Sequence, residues 1–432
     1  MNDTPLSVAL LGSGTVGSQV ARILLEDAEE LTQRVGAPLR LIGIAVRDPQ
    51  APRDYAAPAG LYTTDADALI DAADVVVELT GGIEPARTRI LRALRAGKHV
   101  VSGNKALLAR EGAALQRAAD ASGAQLSYDA AVAGAIPILR PLRDSLAGDQ
   151  VERVLGIMNG TTNFILDAMH TTGADFDDAL AEAQRLGYAE ADPTADVEGH
   201  DAAAKAAIVA SLAFHAEFTL EDVHCEGITG ITAADVAAAQ AEGCVIKLLA
   251  VCERLEEGVS IRVHPTLVPS EHPLASVRGA YNAVFVHSRD AGQLMFYGPG
   301  AGGAPTASAV MGDLVSLARR VVLGGPAVPD FSYAQLPAVG PEDVVSSYTM
   351  GLQVKDRLGV LAGMAQVFAE EGVSIRTMHQ TKHGPHRGAG QPETTIRVVT
   401  HRAADRRVRA TIEKLRGLDA VDAITSVIRV ED

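Results

Sequence analysis

Leu6-Ser7-Val8-Ala9-Leu10-Leu11-Gly12-Ser13-Gly14-Thr15-Val16-Gly17 is the stretch that decides the fold. Its first six residues are almost wholly apolar and read as a buried strand, and a helical pattern over 16–31 follows the glycines. A G-x-G-x-x-G spacing alone says little, but strand, glycines and helix in that order are the setting of a dinucleotide-binding turn. Gly12 allows the tight turn and Gly14 lets the backbone approach a pyrophosphate. The N–H groups of Thr15, Val16 and Gly17 open the helix, where an anion is attracted.

Working outward, a second strand over 39–46 ends at Arg47-Asp48. The position after this strand meets the adenosine ribose, so Arg47 favours the 2′-phosphate of NADP, and Asp48 beside it leaves NAD open. The alternation then continues with a strand over 75–79, the turn Thr80-Gly81-Gly82, a helix over 84–96, a strand over 99–102, a helix over 107–122 and a strand over 125–128. Units of this kind build a parallel sheet with helices on both faces, a Rossmann-type domain over 1–135. Ligands in such sheets lie over the C-terminal strand ends, which puts Thr80 and Lys105 in reach of a nicotinamide and its substrate.

The run D-A-A-V-A-G-A-I-P over 129–137 is too small and irregular for a helix and reads as a hinge. Beyond it, a strand over 151–156 leads into Met158-Asn159-Gly160-Thr161-Thr162-Asn163 and a helix through His170. Small hydrogen-bonding residues at a helix start make a pocket for a carboxylate or an amide. Helices over 233–240 and 245–254 and strands over 259–263, 283–288 and 293–297 complete a second, α+β domain over 136–300. The glycine loop over 298–308, with Gly302 at its centre, opens an amphipathic helix that should return to the first domain over 300–325. Prolines at 326, 329, 337 and 341 mark a linker over 326–345, and 346–432 reads β-α-β-β-α-β, a ferredoxin-like unit.

A second informative stretch is Gly187–Lys205, G-Y-A-E-A-D-P-T-A-D-V-E-G-H-D-A-A-A-K. Four acids, Glu190, Asp192, Asp196 and Glu198, precede Asp201 and an alanine-rich helix. Asp201 and Lys205 are four apart and share a face. The residues after Lys205 are apolar for three turns, so the helix is buried and carries its lysine inward. A buried lysine needs a reason. The plain alternative is a surface ion pair worth about 0.3–0.5 kcal/mol beside a solvated loop.

Composition narrows the class. The chain of 432 residues is 47% hydrophobic and 21% charged, with net charge -16, which speaks against nucleic-acid or anionic-membrane partners. No apolar run is long enough for a membrane span, and Met-Asn-Asp-Thr-Pro lacks signal-peptide character, so the expected location is cytoplasmic. Cys225, Cys244 and Cys252 lack C-x-x-C spacing and read as reduced core residues. His379, His383 and His386 sit in a loop without the carboxylates a metal site would add.

Taken together, G-S-G-T-V-G, E-L-T-G-G, S-G-N-K, N-G-T-T-N, G-Y-A-E-A-D-P-T-A-D with D-A-A-A-K, and G-P-G-A-G-G-A-P-T-A-S-A-V closely resemble homoserine dehydrogenase over about residues 5–325. The C-terminal D-R-L-G-V-L unit resembles an ACT regulatory domain. The resemblance implies reversible NAD(P)H-dependent reduction of L-aspartate 4-semialdehyde to L-homoserine, on the route to threonine, methionine and isoleucine. It implies that Lys105 and Lys205 handle the proton, with Asp201 orienting Lys205. Glu190 and Asp196 would hold the substrate, with Gly160 and Thr161 nearby. The backbone of Asp129, Val132, Gly134 and Ile136 would match the family's sodium site, although the family more often has Glu at 129 and Gly at 135. An amino-acid effector such as threonine at the ACT unit, and a homodimer or homotetramer, are implied as well. Two other classes stand against this reading. A thiohemiacetal-forming dehydrogenase needs an activated cysteine, and a non-catalytic nucleotide and amino-acid sensor would not need Lys105 or Lys205 for ligand binding.

Overall fold

The computed structural model describes residues 4–328, 332–382 and 393–431. Six parallel strands form the first sheet: β1 (Leu6–Leu11), β2 (Leu39–Ala45), β3 (Tyr62–Thr63), β4 (Val75–Glu78), β5 (His99–Ser102) and β6 (Leu126–Ser127). Their order is β3-β2-β1-β4-β5-β6, so the winding reverses between β1 and β4. That reversal opens a crevice at the C-terminal strand ends, with the Gly12 and Thr80 turns on its two sides. The strands can be nearly all apolar because helices cover both faces, and Val75, Val76 and Val77 are fully buried.

The helix Gly303–Val322 does return to this domain. It packs along Thr15–Glu26, and Val310, Leu314 and Leu317 join Val8, Leu10 and Val20 in one core. A side chain on Gly303 would meet the Thr15 carbonyl at 2.8 Å, so the helix starts against the cofactor turn.

The remaining strands are β7 (Val151–Ile157), β8 (His224–Cys225), β9 (Cys244–Arg254), β10 (Val259–Pro269), β11 (Tyr281–Ser288), β12 (Gly292–Pro299), β13 (Val345–Lys355), β14 (Ile375–Lys382), β15 (Glu393–Thr400), β16 (Ala403–Ala404) and β17 (Val421–Val430). They join in one mixed sheet of order β12-β11-β7-β9-β10-β17-β13-β15-β14, with β8 and β16 beside β10 and β13. Here the helix expected over 245–254 is corrected to strand β9. The run C-V-I-K-L-L-A-V-C is apolar but for the buried Lys247 because β9 lies mid-sheet with both faces buried, and a short apolar run has the same signature in a buried helix. Strand β10 also runs on to Pro269, pairing with β9 along its length.

The C-terminal unit has the expected β-α-β-β-α-β order, with helices Val360–Glu370 and Asp405–Arg416. It does not form a separate sheet: β17 runs parallel to β10, with Thr266 opposite Arg429 and Leu267 opposite Val430. The expected loop over 383–392, with His383 and His386, lies outside the described residues. Among the described residues no three His, Cys, Asp or Glu side chains cluster as metal ligands, and no helix is long and apolar enough to cross a membrane.

Candidate active site

Around the glycine turn, space is tight at two positions and open at one. Gly12 adopts φ +95°, with space for a Cβ blocked by the Leu79 carbonyl at 2.8 Å, and a methyl on Gly17 would collide with the Gly12 carbonyl. Above Gly14 there is nothing within 4 Å of where a Cβ would stand. No side chain caps the helix that starts at Thr15, and the Ser13 hydroxyl beside it is buried without a partner. An open space faced by unused donors fits a pyrophosphate. Arg47 is exposed at the end of β2.

Across the crevice, the fully buried Glu78 closes β4. Its carboxylate accepts from the Thr80 N–H at 2.8 Å, from the Thr80 hydroxyl and from Ser102 Oγ at 3.1 Å. Thr80 itself is exposed to the crevice. Asn104 caps the next helix by accepting from the Leu107 N–H, and donates to the Gly82 carbonyl at 2.7 Å. Lys105 therefore opens the helix Lys105–Ser122, two residues before the start expected from the sequence.

Lys105 points at the second domain, where its ammonium pairs with Asp201 Oδ1. The helix His200–Ala213 carries Asp201 and Lys205 one turn apart, and Lys205 donates to Asp201 Oδ2 at 2.7 Å and to the Met158 carbonyl at 2.6 Å. Two lysines from two domains thus hold one carboxylate. Lys205 is buried, with 9% of its side chain exposed, whereas the Lys105 side chain is 47% exposed. Burial pushes the Lys205 amine below its usual range, and the Asp201 charge opposes the shift. Burial pushes the Asp201 carboxyl up, but Lys205 and Lys105 outweigh it and hold the carboxyl well below the usual range.

The four acids of 187–198 have different surroundings. Asp196 is half-buried and accepts from Asn159 Nδ2 at 2.6 Å, which ties it to the lysine cluster. Glu190 is exposed, and its carbonyl accepts from Gln184 Nε2 at 3.1 Å. Asp192 caps Thr194 locally, and Glu198 turns away to Thr229. Gly160 and Thr161 start the helix Gly160–Thr172 beside the cluster, and the Thr161 hydroxyl donates to the Tyr188 carbonyl at 2.6 Å. Sequence reasoning singled out neither Asn159, Met158 nor Glu78 for this site. Asn159 lay in a motif already noted as a pocket, but its bridging role depends on a fold contact.

Gly302 caps the returning helix at φ +114°, close to the cofactor turn. In the hinge, Ala133 and Gly134 have φ 57° and 59°, and the loop presses on Gly300. The Asp129 carboxylate is used internally by the Leu139 and Arg140 N–H groups. The cysteines offer no activated thiolate: burial pushes Cys225 up to about 11 and Cys252 up to about 12, and raises Cys244 as well.

A glycine turn at a Rossmann switch point, facing a buried lysine–aspartate pair across an interdomain crevice, defines an NAD(P)-dependent oxidoreductase. Family models match over nearly the whole chain: homoserine dehydrogenase NAD-binding domain at 12–129, homoserine dehydrogenase at 137–315 and ACT domain at 348–420. The homoserine dehydrogenase of Corynebacterium glutamicum is 54% identical, aligned over 99% of this chain and 96% of its own length. That of Mycobacterium tuberculosis is 52% identical over 100% and 98%. The solved homoserine dehydrogenase of Thiobacillus denitrificans superposes with TM-score 0.92 at 42% identity, covering 99% of each chain. The chain belongs to the homoserine dehydrogenase family.

Proposed function

We propose that this chain interconverts L-homoserine and L-aspartate 4-semialdehyde, and that the two lysines on the Asp201 carboxylate are the observation that carries this reading. In the oxidising direction the substrate hydroxyl sits between Lys105 and Lys205, and a neutral lysine takes its proton as the C–H hydride departs. Desolvation keeps Lys205 receptive, and Asp201 fixes its direction. In the reducing direction the same amine, protonated, returns the proton to the carbonyl oxygen. The nicotinamide, when bound over the glycine turn, supplies the hydride acceptor or donor. Thr80 and Lys105 border its reactive end, and Gly12, Gly14, Thr15, Val16, Gly17 and Gly302 surround its phosphates. Asp196 and Glu190 receive the substrate ammonium, and Gly160 and Thr161 border the amino-acid end.

NADP is the preferred cofactor in this reading, because Arg47 is exposed where the 2′-phosphate would lie. Sodium is assigned to the hinge carbonyls of Asp129, Val132, Gly134 and Ile136. Support for this is the left-handed backbone at Ala133 and Gly134, φ 57° and 59°, in the middle of that hinge. The ACT unit senses an amino acid, threonine in this proposal, and the chain works as a homodimer or homotetramer in the cytoplasm.

Initial rates of homoserine oxidation by the full chain, with NADP and with NAD, each with and without threonine, test these points. Homoserine-dependent reduction that is faster with NADP and suppressed by threonine is expected. Folded protein that binds nicotinamide cofactors yet turns over neither would sink the enzymatic reading. Rates that ignore threonine would remove that effector.

A further inference from the structure

We infer that Asn159 is a positioning residue that couples recognition of the substrate's ammonium to proton transfer, by holding Asp196 and Asp201 on a single amide group. This rests on the reading above, in which Asp196 receives the ammonium and Lys205 handles the proton.

Asn159 is nearly fully buried, 5% exposed, at the exit of β7. Its Nδ2 donates to Asp196 Oδ1 at 2.6 Å and to Asp201 Oδ2 at 2.9 Å. Both protons of the amide are thereby used, one on each carboxylate. Its Oδ1 accepts from the Thr162 N–H at 2.9 Å and caps the helix that begins with Gly160 and Thr161. The preceding residue completes the grip, since the Met158 carbonyl accepts from Lys205 Nζ. Two consecutive residues therefore fix the lysine, its aspartate, the acid of the short helix Thr194–Val197 and the start of the helix Gly160–Thr172.

The chemistry needs such a bridge. Asp196 and Asp201 are two carboxylates in a partly buried site, and a neutral double donor bonds to both at once. Asp201 Oδ2 already accepts from Lys205 at 2.7 Å, so the amide fixes the same oxygen that aims the amine. When an ammonium group settles on Asp196, its pull passes through one rigid amide to the carboxylate that orients Lys205. An asparagine at this position is no mere cap: serine and aspartate cap helices as well, but serine is too short to reach both carboxylates and aspartate has no amide.

That difference supplies the experiment. Asn159→Ser and Asn159→Asp both keep a helix cap and both remove the bridge. For each, NADPH affinity, melting temperature, and kcat and KM for homoserine across pH are measured on the full chain. Expected is a loss in kcat/KM of roughly 10- to 100-fold, the usual effect of losing hydrogen bonds to charged groups, with KM raised and kcat lowered together. NADPH affinity should stay within about twofold.

The charged groups that act on Lys205 are Asp201, Lys105 and Asp196. A further carboxylate at 159 stabilises the ammonium form, so in Asn159→Asp the acid limb of kcat/KM should move to higher pH. Variants that bind NADPH and show wild-type kcat, KM and pH limb overturn the inference. So does a loss confined to kcat or to KM, and so does a uniform fall in stability and NADPH affinity, which marks a structural role alone. Wild-type protein that never reduces NADP with homoserine overturns the underlying reading instead, before any variant is compared.

Discussion

Lys205 reaches back one helical turn to Asp201, Nζ to Oδ2 at 2.7 Å, on a helix whose residues 206–210 are all buried. The geometry sets two opposing influences on one amine, with burial favouring its neutral form and the aspartate favouring its charged form. Replacing Asp201 with Asn removes the second influence and leaves the first. The acid limb of kcat/KM for homoserine oxidation should then move to lower pH, because the lysine loses its proton more readily. The plateau rate should fall by roughly 100-fold, since the amine is no longer aimed. Lys205→Met, similar in length and without the amine, should lose activity without losing NADPH binding. A pH–rate profile of Asp201→Asn that keeps the wild-type limb would contradict this account.

Gly14 and Gly17 lie in one turn but should respond differently to the same substitution. A methyl on Gly17 collides with the Gly12 carbonyl, so Gly17→Ala has to distort the turn and should lower both melting temperature and cofactor affinity. A methyl on Gly14 meets no protein atom within 4 Å, so Gly14→Ala should fold normally. It occupies the space where the pyrophosphate approaches, and NADPH affinity should drop by about tenfold or more. Thermal melts with and without NADPH separate the two: the Gly14 variant should match wild type when empty and gain less from cofactor. Equal affinity in that variant would mean the phosphates lie elsewhere.

Much of this site was legible because its chemistry travels in short motifs. Gly12, Gly14 and Gly17 follow a strand directly, and Asp201 and Lys205 share a helix face whatever the rest of the chain does. Five of the six strands of the first sheet were readable for a similar reason, being bounded by glycine or a polar turn; the two-residue β3 and the seven-residue helix Ala66–Ala72 were not, because they are too short to show a period. Strand β9 was not, because both its faces are buried and alternation disappears. The junction of β17 with β10 joins residues more than 150 positions apart, and nothing local in Thr266 or Arg429 announces it. Asn159 escaped likewise: its sequence neighbours explain a cap, and only the fold brings Asp196 and Asp201 to its amide.

Asp313, on the returning helix, faces Asp129 in the hinge. Its carboxylate accepts from the Asp129 N–H at 2.7 Å, and Arg140 lies 3.4 Å from each of the two carboxylates. Burial, with the Asp129 charge added, pushes Asp313 up to about 7. A carboxyl whose folded pKa is raised supports the fold below its unfolded value near 3.8, and that support is lost as pH rises through about 7. Asp313→Asn keeps an acceptor for the Asp129 N–H and removes the titration. The variant should therefore gain on wild type at pH 8, by roughly 2 °C in melting temperature, and gain less at pH 5. A gain that is the same at both pH values would show that Asp313 does not titrate in this range.

The C-terminal unit should prove inseparable from the catalytic sheet. Strand β17 covers the edge of β10 where Leu267 is buried, and Glu431 just beyond it pairs with Arg153 of β7. Arg429, with 8% of its side chain exposed, bridges Glu226 of the second domain at 2.9 Å and Asp405 of the last helix at 3.1 Å. Asp405 is nearly fully buried while the Glu226 side chain is 41% exposed, so the Asp405 contact dominates and the Glu226 contact is screened. Arg429→Met should accordingly cost about 3 kcal/mol, and Glu226→Gln less than about 1 kcal/mol. Removing everything beyond Pro341 strips β17 from β10 and leaves Arg153 without Glu431. The truncated chain should melt well below the full chain or aggregate, as read by calorimetry and size-exclusion chromatography. If it instead keeps the full chain's melting temperature and kcat, the shared sheet contributes nothing to the catalytic core. Effector response is therefore better read in the full chain, from point variants of the turn Asp356-Arg357-Leu358-Gly359 that leads into the helix Val360–Glu370, than from truncation, where a lost response would reflect a damaged core.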